Sequence, residues 1–343
     1  MAKIDKFNKG REDQDDEYYT RYEDIQNEIN NYRDDFKNKI VFCNCDDPYE
    51  SNFCKFFLKN FNYIGLKKLI CTSYSGSPVI GTQMSLFDDM DEPLVAENGY
   101  VIEITSMPMK NGRGVTDEDI TNLLKSKKRG VKKLKSNGDF RSEECIKFLQ
   151  EADIVVTNPP FSLFRQFIAQ LIEYKKKFLI VGRETSVSYK EVFPLFKDGV
   201  VWYGYTHAKV FDRPDGTIKT FGNVTWFTNM DVKKRHETLP LYREYQEGAY
   251  YKYQNFDGID IPAISEIPKD FYGIMGVPQS FMFTHNPKQF EIFGYGKGTL
   301  AKDIGVTKNY RGRTDLAFID DHGKNQCPFA RILIRRIKPN DED

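Results

Sequence analysis

The chain of 343 residues has no apolar run approaching the roughly 20 residues that a bilayer-spanning helix needs. Its first residues, MAKIDKFNKGREDQDDEYY, are highly charged and lack the apolar core of a secretory signal. No membrane partner is expected, and a cytoplasmic location is. Net charge is missing too: 50 Lys and Arg balance 50 Asp and Glu, so overall charge does not announce a nucleic-acid partner. The six cysteines are scattered and form no paired CxxC ligand set, which argues against a zinc ribbon or a disulfide framework. Cys43 and Cys45 share one face of an expected strand, as a metal pair or as a buried reduced pair. His207, His236, His285 and His322 are too dispersed for a metal cluster or a catalytic triad, and most of them are expected at the surface. There is no internal repeat.

Charge of one sign does occur locally. The segment KSKKRGVKKLKSNG, Lys125 to Gly138, is basic and holds no acid. It reads either as a solvated helix face or as a phosphate-contacting patch. Residues 1–16 are expected to be disordered, being charged and nearly free of aliphatic side chains. From Glu17 a helix begins, with Tyr22, Ile25, Ile29 and Tyr32 at three- and four-residue spacing. KIVFCNCDDP is a strand running into an acidic loop. SNFCKFFLKNFNYIG is a helix capped by Ser51 and ended by Gly65, and KKLICTSY is a second strand. This is a β-loop-α-β unit of the kind that builds parallel sheets. Residues from 75 to about 115 interrupt the pattern with one strand, YVIEITSM. A helix from Ser142, a strand from Asp153, a helix in FSLFRQFIAQLIEY and a strand in KKFLIVGRE follow. The first 185 residues therefore read as one doubly wound sheet with an insertion. Beyond them, VVWYGYTHAKVF and TFGNVTWFTNM read as antiparallel strands around the turn DRPDGT, and after about residue 240 loops and short strands dominate.

The stretch that bears on chemistry is Thr157-Asn158-Pro159-Pro160-Phe161, directly after the apolar Ile154-Val155-Val156. Two prolines lack the N–H groups of a ladder, so the strand ends here in a stiff turn. In open α/β sheets ligands bind outside the carboxyl ends of strands. An Asn carbonyl, a free backbone carbonyl and a flat Phe ring suit a planar amino-substituted heterocycle. Two acceptors gripping an exocyclic amine would restore its lone-pair density, and a methyl on a sulfonium is then a sufficient electrophile. The bland alternative is a structural proline turn, expected by composition in about one chain of this length in a hundred.

The placement of NPPF resembles the catalytic motif of amino-group methyltransferases. DEYYT (Asp16 to Thr20), FCNCDDPYESNFCKFF, GDFRSEEC, ADIVVTNPPFSLFRQF, KKFLIVG, YKEVFPLFKDG, WFTN and IMGVPQSFMFTHNPKQFEI, in that order, resemble the EcoRI-type adenine-specific DNA methyltransferases over residues 16–296. The resemblance implies a Rossmann-like class I methyltransferase α/β sheet with an insertion, and a C-terminal, mostly β and loop, DNA-recognition region. It implies a catalytic domain over 17–235 with the insertion at about 75–135, and a target-recognition region over 236–343. The cofactor would be S-adenosyl-L-methionine and the substrate double-stranded DNA, with a cognate restriction endonuclease as a candidate partner. A monomer or weak dimer suffices for one base at a time.

By the same resemblance, Asn158 and Pro159 hold the target amine, Pro160 fixes the turn and Phe161 stacks on the adenine. That base must leave the duplex to be reached. Tyr19 and Thr20 match the N-terminal cofactor motif. Asn44, Asp46, Asp47, Ser51 and Phe53 occupy the cofactor loop, which has none of the glycines found there in other methyltransferases; an ordinary helix-start turn is the alternative. Asp139 and Phe140 fall at the adenine-binding motif for the cofactor, or form a capping turn. The acidic residue usual after the second strand is absent, and Thr72, Ser73 and Tyr74 stand there. Lys127, Lys128, Arg129, Lys132 and Lys133, with Arg311 and Arg313 in KNYRGR, are the expected DNA contacts. RNA, a protein glutamine amide, or nucleic-acid binding without turnover remain alternative readings.

Overall fold

Apolar runs of four to seven residues ending at Asn, Ser or Pro make short buried strands, and Phe- and Ile-lined amphipathic helices pack over them. A computed structural model describes residues 19–45, 51–74, 98–108, 115–125, 131–213 and 216–338. It divides into two compact units, Met1–Ser186 with Gly204–Met230, and Val187–Tyr203 with Asp231–Asp343.

The first unit runs β1 (Tyr19–Thr20), α1 (Tyr22–Ile29), β2 (Ile40–Cys43), α2 (Asn52–Ile64), β3 (Lys68–Thr72), β4 (Tyr100–Ile104), α3 (Asp117–Lys125), β5 (Val131–Lys133), α4 (Glu143–Glu151), β6 (Ile154–Thr157), α5 (Phe164–Glu173), β7 (Lys177–Arg183), β8 (Trp202–His207), β9 (Val210–Asp212), β10 (Ile218–Thr220) and β11 (Val224–Thr228). Eight strands form one mixed sheet in the order β5-β4-β3-β2-β6-β7-β11-β8. β2 is parallel to both β3 and β6, and β6 is parallel to β7. The expected parallel sheet holds for this centre only. YVIEITSM pairs antiparallel to β3, and β5 antiparallel to β4. The basic run that read as a solvated helix face or phosphate patch thus contributes an edge strand over 131–133. β11 is antiparallel to β7, while the hairpin around 213–217 joins β9 to β10 and not β8 to β11. β1 pairs with β9 to complete a separate three-stranded sheet.

Local signals explain the helix ends. The Ser51 hydroxyl accepts from Phe53 N–H at 3.1 Å and caps α2, and Gly65 closes it in the left-handed region at φ 75°. Ser142 caps α4 through Cys145 N–H. Trp226, Phe42, Phe57, Phe164 and Phe178 are fully buried around the sheet. Among the described residues of this unit, one carboxyl is fully buried. Glu28 on α1 accepts from Tyr32 Oη (2.9 Å), Tyr205 N–H (2.8 Å), and Thr206 N–H and Oγ1 (2.7 Å each). Burial raises its pKa, and the bonds from Thr206, Tyr205 and Tyr32 oppose that rise.

The second unit adds α6 (Phe193–Lys197), β12 (Ile259–Asp260), β13 (Ile274–Pro278), β14 (Phe290–Tyr295), α7 (Gly298–Asp303), β15 (Phe318–Ile319), β16 (Asn325–Gln326) and β17 (Arg331–Arg336). Its sheet has the order β12-β13-β17-β14, and β15 and β16 form a small hairpin. Tyr253, Ala301, Val306, Leu316 and Leu333 form a core. A buried Arg331–Asp260 pair, at 2.9 and 3.1 Å, also takes the Tyr253 hydroxyl at 2.7 Å.

Candidate active site

β6 ends where the prolines begin. The β2–β6 ladder registers only Val41 with Ile154 and Phe42 with Val155. Beyond it the buried Thr157 hydroxyl donates to the Asn44 carbonyl, bridging the two strand tips. Pro159 is buried, Asn158 and Pro160 are half-buried, and Phe161 opens a short 3-10 turn, Phe161–Leu163, that leads into α5. Leu163 N–H donates to the Pro160 carbonyl at 3.0 Å. Four motif residues thus sit at the carboxyl end of a central strand, their backbone set by two prolines.

Aromatic rings and a cation surround the motif. Phe161 meets Phe221 edge to face at 6.2 Å, and Phe221 meets Phe211 of β9 at 5.5 Å. The Arg183 guanidinium, at the end of β7, lies 5.1 Å from the Phe161 centroid and 5.6 Å from that of Phe221. Sequence reasoning missed Phe221 and Arg183, which stand in no motif; the one usable signal was that KKFLIVGRE follows the NPPF helix and ends in a charge.

The tip of β2 lies beside the motif. Asn44 is buried; its side-chain carbonyl accepts from Thr72 Oγ1 at 3.3 Å. Hydroxyls from β3 and β6 therefore hold this residue from both sides. Tyr19 is half-buried on β1. Thr20 is buried, and its hydroxyl finds no hydrogen-bond partner among the described residues, while its carbonyl accepts from Asn52 Nδ2 at 2.9 Å, at the start of α2. Ser51 is occupied in capping α2. Phe53 is a core ring, edge to face with Trp226 at 5.9 Å. Asp46 and Asp47 lie outside the described residues.

Asp139 and Phe140 sit in the turn before α4. Asp139 is locked to Arg141 by two side-chain bonds, at 2.9 and 2.6 Å, and by the Arg141 N–H at 2.8 Å. The bonds from Arg141 draw its pKa below the usual carboxylate value. Arg141 also reaches Gln166 Oε1 at 2.9 Å. Phe140 is buried against Phe167 of α5 at 5.1 Å. Gly138, at φ 81°, has the Ser73 carbonyl where any side chain would begin, so this turn and the tip of β3 touch backbone to backbone.

The remaining expectations are spread out. Lys132 and Lys133 are exposed on β5, and Lys132 pairs with Glu103 at 2.9 Å; Lys127, Lys128 and Arg129 lie outside the described residues. Arg311 and Arg313 are exposed on a turn of the second unit. There Asn309 Oδ1 accepts both of their N–H groups, and Gly312 takes φ 73°. Cys43 is buried but Cys45 has left the strand at φ 67°, so the two do not share a strand face. His207, His236 and His322 are exposed, as expected of most of the histidines, and His285 is buried. Its Nε2 lies 2.8 Å from the Phe290 carbonyl, and burial lowers its pKa. Among the described residues no His, Cys, Asp and Glu group is arranged to hold a metal, and no helix is long and apolar enough to cross a membrane.

The family described as "Adenine-specific methyltransferase EcoRI" matches residues 6–337. The chain is 38% identical to the Type II methyltransferase M.EcoRI of Escherichia coli, over 95% of each chain. It is 34% identical to M.MpnI of Mycoplasma pneumoniae and to M.MgeORF184P of Mycoplasma genitalium, over 83% of this chain and 84% of each relative. No solved structure matches it significantly. With NPPF at the tip of a central strand, and similarity along nearly the whole chain, this protein belongs to the EcoRI-type family of adenine-specific methyltransferases.

Proposed function

We propose that the chain transfers the methyl group of S-adenosyl-L-methionine to the N6 amine of adenine in double-stranded DNA. The observation that carries this reading is the seat of the motif. Counting the strands from β2, the run β4-β3-β2-β6-β7 has the order 3-2-1-4-5 of a Rossmann-like sheet, with β5 added at the edge and β4 reversed. The order turns around between β2 and β6, where such sheets open a crevice for ligands. Asn44 and Asn158 sit at those two tips.

The residues present fit the cofactor. The Thr20 hydroxyl is buried and unpartnered among the described residues, as a ligand-facing group would be. Asn44 lies beside the motif. Asp139, kept ionised by Arg141, retains acceptor lone pairs for an amino group. Thr20, Asn44 and Asp139 would hold it, with Tyr19 and the loop of Asp46 and Asp47; Ser51, Phe53 and Phe140 shape the surroundings from the core. When bound, S-adenosyl-L-methionine supplies an electrophilic methyl on a sulfonium.

The chain's own residues do the rest. Asn158 Oδ1 and the Pro159 carbonyl accept the two amine protons and favour a pyramidal nitrogen with an available lone pair. Pro160 holds the backbone at that angle. Phe161 stacks on the flipped base. After transfer the methylated nitrogen releases one proton to water, and Asn158 orients that nitrogen without becoming a base itself. Arg311, Arg313, Lys132 and Lys133, with Lys127 to Arg129, supply contacts along the duplex. A restriction–modification pair, with a cognate endonuclease as partner, is the setting this reading implies, and the Type II names of the relatives support it.

Asn158→Ala separates the roles. Binding of S-adenosyl-L-methionine, measured by titration calorimetry, should match that of the wild type while turnover on DNA is lost. Equal loss of both would remove Asn158 from the amine.

A further inference from the structure

Arg183 ends β7 beside the motif strand, and the mechanism above does not use it. Its side chain is exposed, and its guanidinium lies against the Phe161 and Phe221 rings. Among the described residues it has no carboxylate partner. The neighbouring acids are engaged elsewhere: Glu184 faces His207 at 3.3 Å, and Asp212 takes Arg21 at 3.2 Å. Lys219 approaches the same Phe221 ring at 5.9 Å, so a second cation flanks this pair of rings.

A guanidinium with no carboxylate partner among the described residues, held by two ring contacts, is poised for an anion. Its forked donors match phosphate oxygens, and the rings already restrict its rotamers. An adenine seated on Phe161 brings its own phosphodiester to the rim of the same ring. We propose that Arg183 binds the phosphodiester of the flipped nucleotide and so positions the target base on Phe161. This rests on the reading of Phe161 as the base-stacking residue of a DNA methyltransferase. Arg183 is a positioning residue; it does not touch the reacting nitrogen.

The experiment uses the full chain as wild type, Arg183→Gln and Arg183→Lys. Wild type first methylates mixed-sequence duplex DNA, and the modified adenines are mapped. A short fluorescent duplex carrying the mapped site is then titrated over a range of sodium chloride concentrations. Each phosphate contact contributes about 0.9 to the slope of log Kd against log salt. Arg183→Gln should lower that slope by about 0.9 and raise KM for DNA more than it lowers kcat; Arg183→Lys should restore the slope. Weaker binding by one factor at all salt concentrations would mark a merely structural role and overturn the proposal. So would a slope left unchanged by Arg183→Gln while the wild type methylates DNA. A wild type that places no methyl on DNA would overturn the underlying reading, and Arg183's role with it.

Discussion

Replacing Thr157 by Val tests whether the fold holds the site through one hydroxyl. The substitution keeps shape and β-branching and replaces only the hydroxyl, by a methyl. In the structure β2 and β6 share two registered pairs, after which the Thr157 hydroxyl spans to the Asn44 carbonyl. Both residues are buried, so water cannot take over the bond. Leaving a buried carbonyl without its donor costs about 1–3 kcal/mol. In a unit of roughly 200 residues that lowers Tm by about 2–12 °C. The second effect is local: with the Thr157 tether gone, Asn44 loses its hold on the β6 side and keeps the side-chain contacts from Thr72 Oγ1 at 3.3 Å and Cys45 Sγ at 3.7 Å. Affinity for S-adenosyl-L-methionine should fall severalfold, and Thr157→Ser should regain it. Thermal unfolding followed by circular dichroism, with calorimetric titration of the cofactor, reads both. A Val variant with wild-type Tm and wild-type cofactor affinity would refute the idea that the hydroxyl couples the two tips.

Other expectations follow from single contacts. Phe161→Ala should weaken the complex with DNA carrying a flipped adenine, by about the 1–3 kcal/mol that a stacked base contributes; fluorescence of 2-aminopurine at the target position reports it, and unchanged flipping and rate would take Phe161 out of the site. Gly138→Ala forces a Cβ into the Ser73 carbonyl at a left-handed φ, so a loss of at least about 1–2 kcal/mol is expected in chemical denaturation, with cofactor affinity reduced; a neutral result would mean that the turn moves freely. Glu28→Gln replaces one acceptor oxygen with an amide that faces protein donors, and should destabilise by about 1–3 kcal/mol although it removes a buried charge. The raised folded-state pKa of Glu28 means that the fold binds its proton more tightly than the unfolded chain does. Its contribution to stability is therefore greatest below the ordinary glutamate range and falls as pH rises through that range toward the folded value. The denaturation midpoint of wild type minus that of the variant should shrink across that window, and a flat difference would contradict the burial argument.

Much of the centre was legible because its signals are local. Ser51 and Gly65 bracket α2 through a side-chain cap and a positive φ, both encoded by residue type. The NPPF turn was legible because proline forbids the continuation of a strand. Strand direction was not: Tyr100–Ile104 has the same apolar character whether it runs parallel or antiparallel to β3, and only the chain between them decides. Arg183, Phe221 and Glu28 were illegible for a different reason. Their partners lie far along the sequence, Glu28's as many as 178 residues away, and no spacing rule reaches that far. Asp139 was found, but its lock on Arg141 two residues later was not, since an Asp-x-Arg triplet on a turn has many geometries.

The most direct test of the central claim is transfer of a labelled methyl group from S-adenosyl-L-methionine to mixed-sequence duplex DNA, with RNA and total cell protein in parallel and Asn158→Ala as control. The account predicts label in DNA, recovered on hydrolysis as N6-methyladenine, and none with the variant. Label in RNA or protein, or label in DNA that survives Asn158→Ala, would contradict it.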